Sequence, residues 1–117
     1  MCHVLIIEDE ALIAMLIRDV LEDAGATSFS FAATQDEAVA AAVDRIPAII
    51  TSDVNLLTGT GPQAVAVIQQ QLGPVPVVFI TATPADCDPC PDTSHILSKP
   101  FSADAVTKLF HDLVPHN

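Results

Sequence analysis

Short apolar runs alternate with segments of helical period along the chain, and this alternation restricts the fold more than any other feature of the sequence. Residues 4–7 form a continuous apolar run that meets polar chemistry directly after it, as in a strand buried on both faces. From Ala11 to Ala24 the positions Leu12, Ile13, Leu16, Ile17, Val20, Leu21 and Ala24 recur at helical spacing, and Gly25 supplies a C-cap. Ser28–Ala32 reads as a short second strand. Thr34-Gln35-Asp36-Glu37 fits a capping box that opens an Ala/Val-rich helix running to about Asp44. Residues 48–52 make the central strand, followed by a loop with Gly59 and Gly61 and by Pro62, which suits the first turn of a helix. That helix runs to about Leu72, with Val65, Ile68 and Leu72 on one face. Gly73-Pro74 breaks it, and residues 75–80 make another buried strand, with Pro76 near its start. Residues 94–98 are a last short strand, and Ser102 caps a closing helix whose apolar face is Val106, Leu109, Phe110 and Leu113.

Strands alternating with helices argue a parallel sheet covered by helices on both faces, and right-handed crossovers leave few topologies for it. The predicted fold is a doubly wound α/β domain over residues 1–117, flavodoxin-like, with five strands in the order 2-1-3-4-5. That order gives the outer places to the two strands of least apolar character, at 28–32 and 94–98. Between Thr81 and Lys99 the rhythm requires a fourth helix, but Pro84, Pro89 and Pro91 stand there. Pro84 can start a helix and the other two stop one, so this helix is expected to be short or degraded.

Charge narrows the function. Fifteen acidic side chains stand against four basic ones, a net charge of −11, so phosphate backbones are repelled and direct nucleic-acid binding is not expected. The first apolar run follows no basic segment and ends in carboxylates, so it is neither signal peptide nor membrane span, and a cytoplasmic location is expected. Three cysteines without regular spacing make no disulfide framework. Cys87 and Cys90 have the spacing of a metal or redox pair, with His95 nearby. A structural zinc needs a fourth ligand, none is evident close by, and Cys2 and His3 stand far off in sequence; the pair reads as free thiols in an irregular loop. His111 and His116 read as solvated surface residues.

In a parallel sheet, ligands bind at the carboxyl ends of the strands. Here four apolar runs end in chemistry: Glu8-Asp9-Glu10 after the first, Asp53 after the third, Thr81 after the fourth and Lys99-Pro100 after the fifth. Glu8, Asp9 and Asp53 would bring three carboxylates to adjacent strand ends, where each raises the pKa of the others unless a hard divalent cation such as Mg²⁺ is held there. The same acids also suit the positive end of the first helix, and Glu10 reads as such a helix-start charge rather than a ligand. Lys99 precedes a proline and is therefore extended, its ammonium able to reach across the crevice. It can pair with a carboxylate at rest and with a phosphoryl oxygen afterwards, while Thr81 offers a hydroxyl. Asp53 is then the nucleophile for an in-line phosphoryl transfer.

Ile6-Ile7-Glu8-Asp9-Glu10, Thr51-Ser52-Asp53-Val54-Asn55-Leu56 with Gly59 and Gly61, Phe79-Ile80-Thr81-Ala82 and Lys99-Pro100-Phe101 resemble, in order and over the whole chain, the receiver domain of two-component response regulators. The resemblance implies that Asp53 takes a phosphoryl group from a histidine kinase or histidine phosphotransfer protein. It implies that Glu8, Asp9 and Asp53, with the backbone carbonyl of Asn55, hold Mg²⁺, and that Thr81 and Lys99 contact the phosphoryl group. The chain is similar to stand-alone regulators that carry no output module, are phosphoacceptors rather than enzymes, and meet a downstream partner through the last strand and last helix. It departs from the pattern at Ile96, where the family usually has an aromatic switch residue three positions before the lysine. Two other roles stay open: an interaction module of receiver shape that is not phosphorylated, and a phosphate sink for a shared kinase. An aspartyl phosphatase is disfavoured because Asn55, two positions after Asp53, cannot exchange a proton as a carboxyl does.

Overall fold

In the computed structural model, which describes residues 2–56, 58–82 and 95–114, β1 (His3–Ile7), β2 (Ser28–Ala32), β3 (Ile49–Ser52), β4 (Val77–Thr81) and β5 (His95–Ser98) form one sheet. All neighbours are parallel and the order is β2-β1-β3-β4-β5, as expected from the sequence. The three inner strands are buried at every residue, whereas β2 and β5 are not. A strand covered on both faces must be mostly apolar, which is why the least apolar runs take the edges.

Alternation along β1 sends its side chains into two cores. Val4 and Ile6 join Ile49, Val78 and Ile80 beneath α1 (Ala11–Ala24) and α4 (Ala103–Leu113). Leu5 and Ile7 join Ile50, Val77 and Phe79 beneath α2 (Gln35–Asp44) and α3 (Gly61–Leu72). Each fully buried Leu, Ile or Phe in these layers contributes roughly 1.5–3 kcal/mol relative to exposure.

The helices begin where their caps place them. The hydroxyls of Thr34, Thr60 and Ser102 accept from the backbone N–H of Glu37, Gln63 and Ala105. The capping box at Thr34 is not fully reciprocal, since Glu37 accepts from Ala33 N–H, one residue before the cap. Gly25 ends α1 at φ 120, a backbone conformation that favours glycine.

Two expectations change. Leu12 and Leu16, placed on the buried face of α1 by their spacing, are exposed, and the residues that enter the core are Ala14, Ile17 and Leu21. β4 starts at Val77 rather than residue 75, leaving Pro76 outside the strand with its carbonyl accepting from Ile50 N–H. His111 is a surface residue, as its sequence position suggested, and its Nε2 lies 2.9 Å from the carbonyl oxygen of Ala24 at the end of α1. The expected short fourth helix, Cys87, Cys90 and His116 lie outside the described residues.

Candidate functional site

The sheet register brings four strand ends to one edge. Ile7 pairs with Ser52, Ser52 with Phe79, and Thr81 with Ser98, so Glu8, Asp53 and Lys99 leave the sheet side by side. Backbone bonds fix their starting points: Glu8 N–H donates to Ala32 O at 2.8 Å, Asp53 N–H to Ile7 O at 2.8 Å and Lys99 N–H to Thr81 O at 2.9 Å.

From there the side chains converge. Lys99 Nζ donates to Glu8 Oε1 at 2.8 Å and to Asp53 Oδ2 at 3.1 Å. Asp53 Oδ1 accepts from Val54 N–H at 2.7 Å, and Glu8 Oε2 from Glu10 N–H at 3.2 Å. The Glu8 side chain is only 2% exposed. Burial pushes its carboxyl up to about 7, an effect enlarged by the Asp53 charge and opposed by the bonds from Lys99 and Glu10 N–H. Burial pulls the Lys99 ammonium down, but the two carboxylates it holds outweigh that and leave its pKa raised. With both carboxylates ionised, the one ammonium between them leaves the trio one negative charge in excess.

One carboxylate oxygen from each of Glu8, Asp9 and Glu10 lies within 4.8 Å of the others. Such a set of hard oxygen donors with surplus negative charge suits a small divalent cation. Glu10, read from sequence as a helix-start charge rather than a ligand, is the N-cap residue of α1, makes no side-chain cap bond, and lies in the acidic group. Asp53 is joined to this group through Lys99 and Glu8. Thr81 ends β4, buried, and Asn55 forms an antiparallel bridge with Thr60 across the loop that follows Asp53. Beside the acids opens a cavity of about 380 Å³, lined in part by Glu8, Asp9, Met15, Phe31 and Glu37.

Residues 4–111 match the family model described as the response regulator receiver domain. The chain belongs to that family. The phyllosphere-induced regulator PhyR of Methylorubrum extorquens is 37% identical to the receiver over 103 residues, an alignment that covers 85% of the receiver and 38% of that protein. The receiver domain of PhyR from Erythrobacter litoralis, solved by NMR, superposes with a TM-score of 0.86 at 31% identity, covering 99% of this receiver and 95% of that chain. The anti-anti-sigma factor PhyR of Bartonella quintana superposes at 0.78 with 37% identity, covering 93% of the receiver and 45% of that chain. The receiver thus spans well under two-thirds of the curated relative's length.

Glu8, Asp53 and Lys99 are brought together as their strand positions imply. The receiver's zinc alternative loses a ligand, because both ring nitrogens of His3 lie 2.8 Å from serine hydroxyls, Nδ1 from Ser28 and Nε2 from Ser30. Sequence reasoning gave no separate role to Ser52, Val54 or Gly61, although all three touch the backbone or side chain of Asp53. A serine at the last position of a buried strand, directly before Asp53, was the available signal at position 52. Among the described residues, no helix is long and apolar enough to cross a membrane.

Proposed function

We propose that this receiver is a phosphorylation switch in a two-component pathway, with Asp53 accepting a phosphoryl group from a histidine kinase or histidine phosphotransfer protein. The observation that carries the reading is the Lys99 ammonium bound at once to Asp53 and Glu8 at the carboxyl end of the sheet. An oxygen of Asp53 attacks phosphorus, a new O–P bond forms, and the P–N bond to the donor imidazole breaks with its electron pair left on nitrogen. Lys99 neutralises the nucleophile's surroundings before transfer and is placed to hold a phosphoryl oxygen after it, with Thr81 as a hydroxyl partner at the neighbouring strand end. Glu8, Asp9 and Asp53, with the Asn55 carbonyl, would hold Mg²⁺, whose charge screens the carboxylate from the incoming phosphoryl group. In this reading the modified chain is itself the signal and no substrate is turned over. The last strand and last helix, β5 and α4, are the surface offered to a downstream protein.

The test is mass spectrometry after incubation with acetyl phosphate and Mg²⁺. One phosphoryl mass is expected on the native chain and none on Asp53→Asn. Equal phosphorylation of the variant sinks the assignment of Asp53, and no modification of either chain favours an interaction module that is not phosphorylated.

A further inference from the structure

We infer that Ser52 and Gly61 are positioning residues for Asp53, clamping its backbone carbonyl so that the adjoining peptide holds the carboxylate in place. The inference rests on the reading of Asp53 as phosphoacceptor and extends it to two residues that touch no phosphoryl group.

The carbonyl is held by two close neighbours. Ser52 Oγ, in a residue almost wholly buried, donates to Asp53 O at 2.7 Å. Beside that hydroxyl, a Cβ on Gly61 would lie 1.8 Å from Asp53 O, 3.0 Å from Asp53 C and 2.3 Å from Ser52 Oγ. Gly61 is the first residue of α3 and is absent from the positive-φ glycines, so its backbone conformation does not require glycine; the space does. Gly25 is the reverse case, with φ 120 and nothing within 4 Å of an added Cβ. Gly61 N–H also donates to Val54 O at 2.8 Å, so the first turn of α3 is bonded to the residue after the acceptor as well.

What the clamp controls follows from the planarity of the peptide bond. The Asp53 carbonyl and the Val54 N–H belong to one peptide plane and cannot turn independently. Val54 N–H is the donor to Asp53 Oδ1 at 2.7 Å. Fixing the carbonyl therefore aims the N–H, and the N–H together with Lys99 on Oδ2 sets the plane of the carboxylate. Losing the Ser52 hydroxyl lets this peptide rock, and Oδ1 loses its fixed donor. Misplacement of a reacting group by a fraction of an ångström to 1 Å is enough to slow an oriented transfer by one to two orders of magnitude.

Two readouts test this on the full chain. The first is the Val54 amide proton by NMR, which a short bond to a carboxylate moves downfield. The second is acetyl phosphate phosphorylation followed over donor concentration. Ser52→Ala is expected to move the Val54 proton upfield and to lower the maximal rate about tenfold, with the half-saturating donor concentration kept within about twofold. Gly25→Ala, a strained substitution away from the site, is expected to lower stability and leave both readouts where they are. Gly61→Ala should reproduce Ser52→Ala if it folds, and Ser52→Ala decides the matter if it does not. A Val54 proton that stays in place in folded Ser52→Ala overturns the clamp, as does an equal change of both readouts in Gly25→Ala. A Val54 shift in Ser52→Ala, in a native chain that acetyl phosphate fails to modify, upholds the clamp and refutes the phosphoacceptor reading instead.

Discussion

Lys99 Nζ lies 3.1 Å from Oδ2 of Asp53 although 46 positions separate the two residues, and the same ammonium holds Glu8 at 2.8 Å. The lysine is therefore the only described cation compensating two shielded carboxylates at once. Removing it leaves Glu8 buried without its partner. Glu8 titrates near 7 in the fold against 4.5 for an unhindered glutamate, so the folded chain keeps a proton that the unfolded chain releases between those values. That contribution to stability is complete below pH 4.5 and is lost as pH rises through 7. In Lys99→Ala the Glu8 carboxyl rises further, and the loss continues above pH 7. Urea denaturation without divalent cations should give stability curves that run parallel below about pH 6 and diverge above pH 7, with the variant weaker by about 1–3 kcal/mol at pH 8.

Thr51 presents the opposite situation, a polar group with nothing to bond among the described residues. It is 1% exposed, flanked in register by Ile6 and Val78 of the core beneath α1 and α4, and its hydroxyl has no hydrogen-bond partner among the described residues. A buried hydroxyl left unpaired costs about 1–3 kcal/mol of desolvation, and valine fills almost the same volume without it. Thr51→Val is expected to raise stability by about 1 kcal/mol, read as a higher urea midpoint at unchanged slope.

His3 gives a second pH dependence, at the amino end of the sheet. It is 8% exposed between two serine hydroxyls, and burial, helped by the Arg45 charge, holds its pKa below the usual 6.5. The unfolded chain therefore binds the proton first on acidification. This contribution to stability is intact above pH 6.5 and is lost as pH falls from there through the folded value. Chemical denaturation of the native chain and His3→Gln should show a stability difference that shrinks over that range. A constant difference would mean that the ring is not neutral in the fold.

The alternation of apolar runs and helical segments was enough to read sheet order, because a strand covered on both faces must be mostly apolar and an edge strand need not be. The chemistry was legible for a related reason: Glu8, Asp53 and Lys99 each follow the last residue of a strand, and register aligns strand ends whatever their distance in sequence. Contacts set by close approach were not legible. Gly61 looked like one loop glycine among two, since spacing says nothing of a carbonyl 1.8 Å from an atom it lacks. The rotation of a helix about its axis was similarly underdetermined.

That last limit can be tested on α1. Seven apolar residues at helical spacing span more of the helix than the sheet and α4 together cover. Ile17 is 2% exposed and marks the centre of the buried face, with Ala14 and Leu21 on one flank and Ile13, Val20 and Ala24 packed on the other. At 3.6 residues per turn, Leu16 stands about 100° and Leu12 about 140° from Ile17, beyond Ile13 and Val20. Leu12 is accordingly 81% exposed. Ile17→Ala removes buried volume and is expected to cost about 3 kcal/mol, whereas Leu12→Gln should change stability by no more than about 0.5 kcal/mol. Urea midpoints of the two variants measure this directly, and a loss above about 2 kcal/mol in Leu12→Gln would require α1 to sit on the sheet in a different rotation, with Leu12 and Leu16 turned inward.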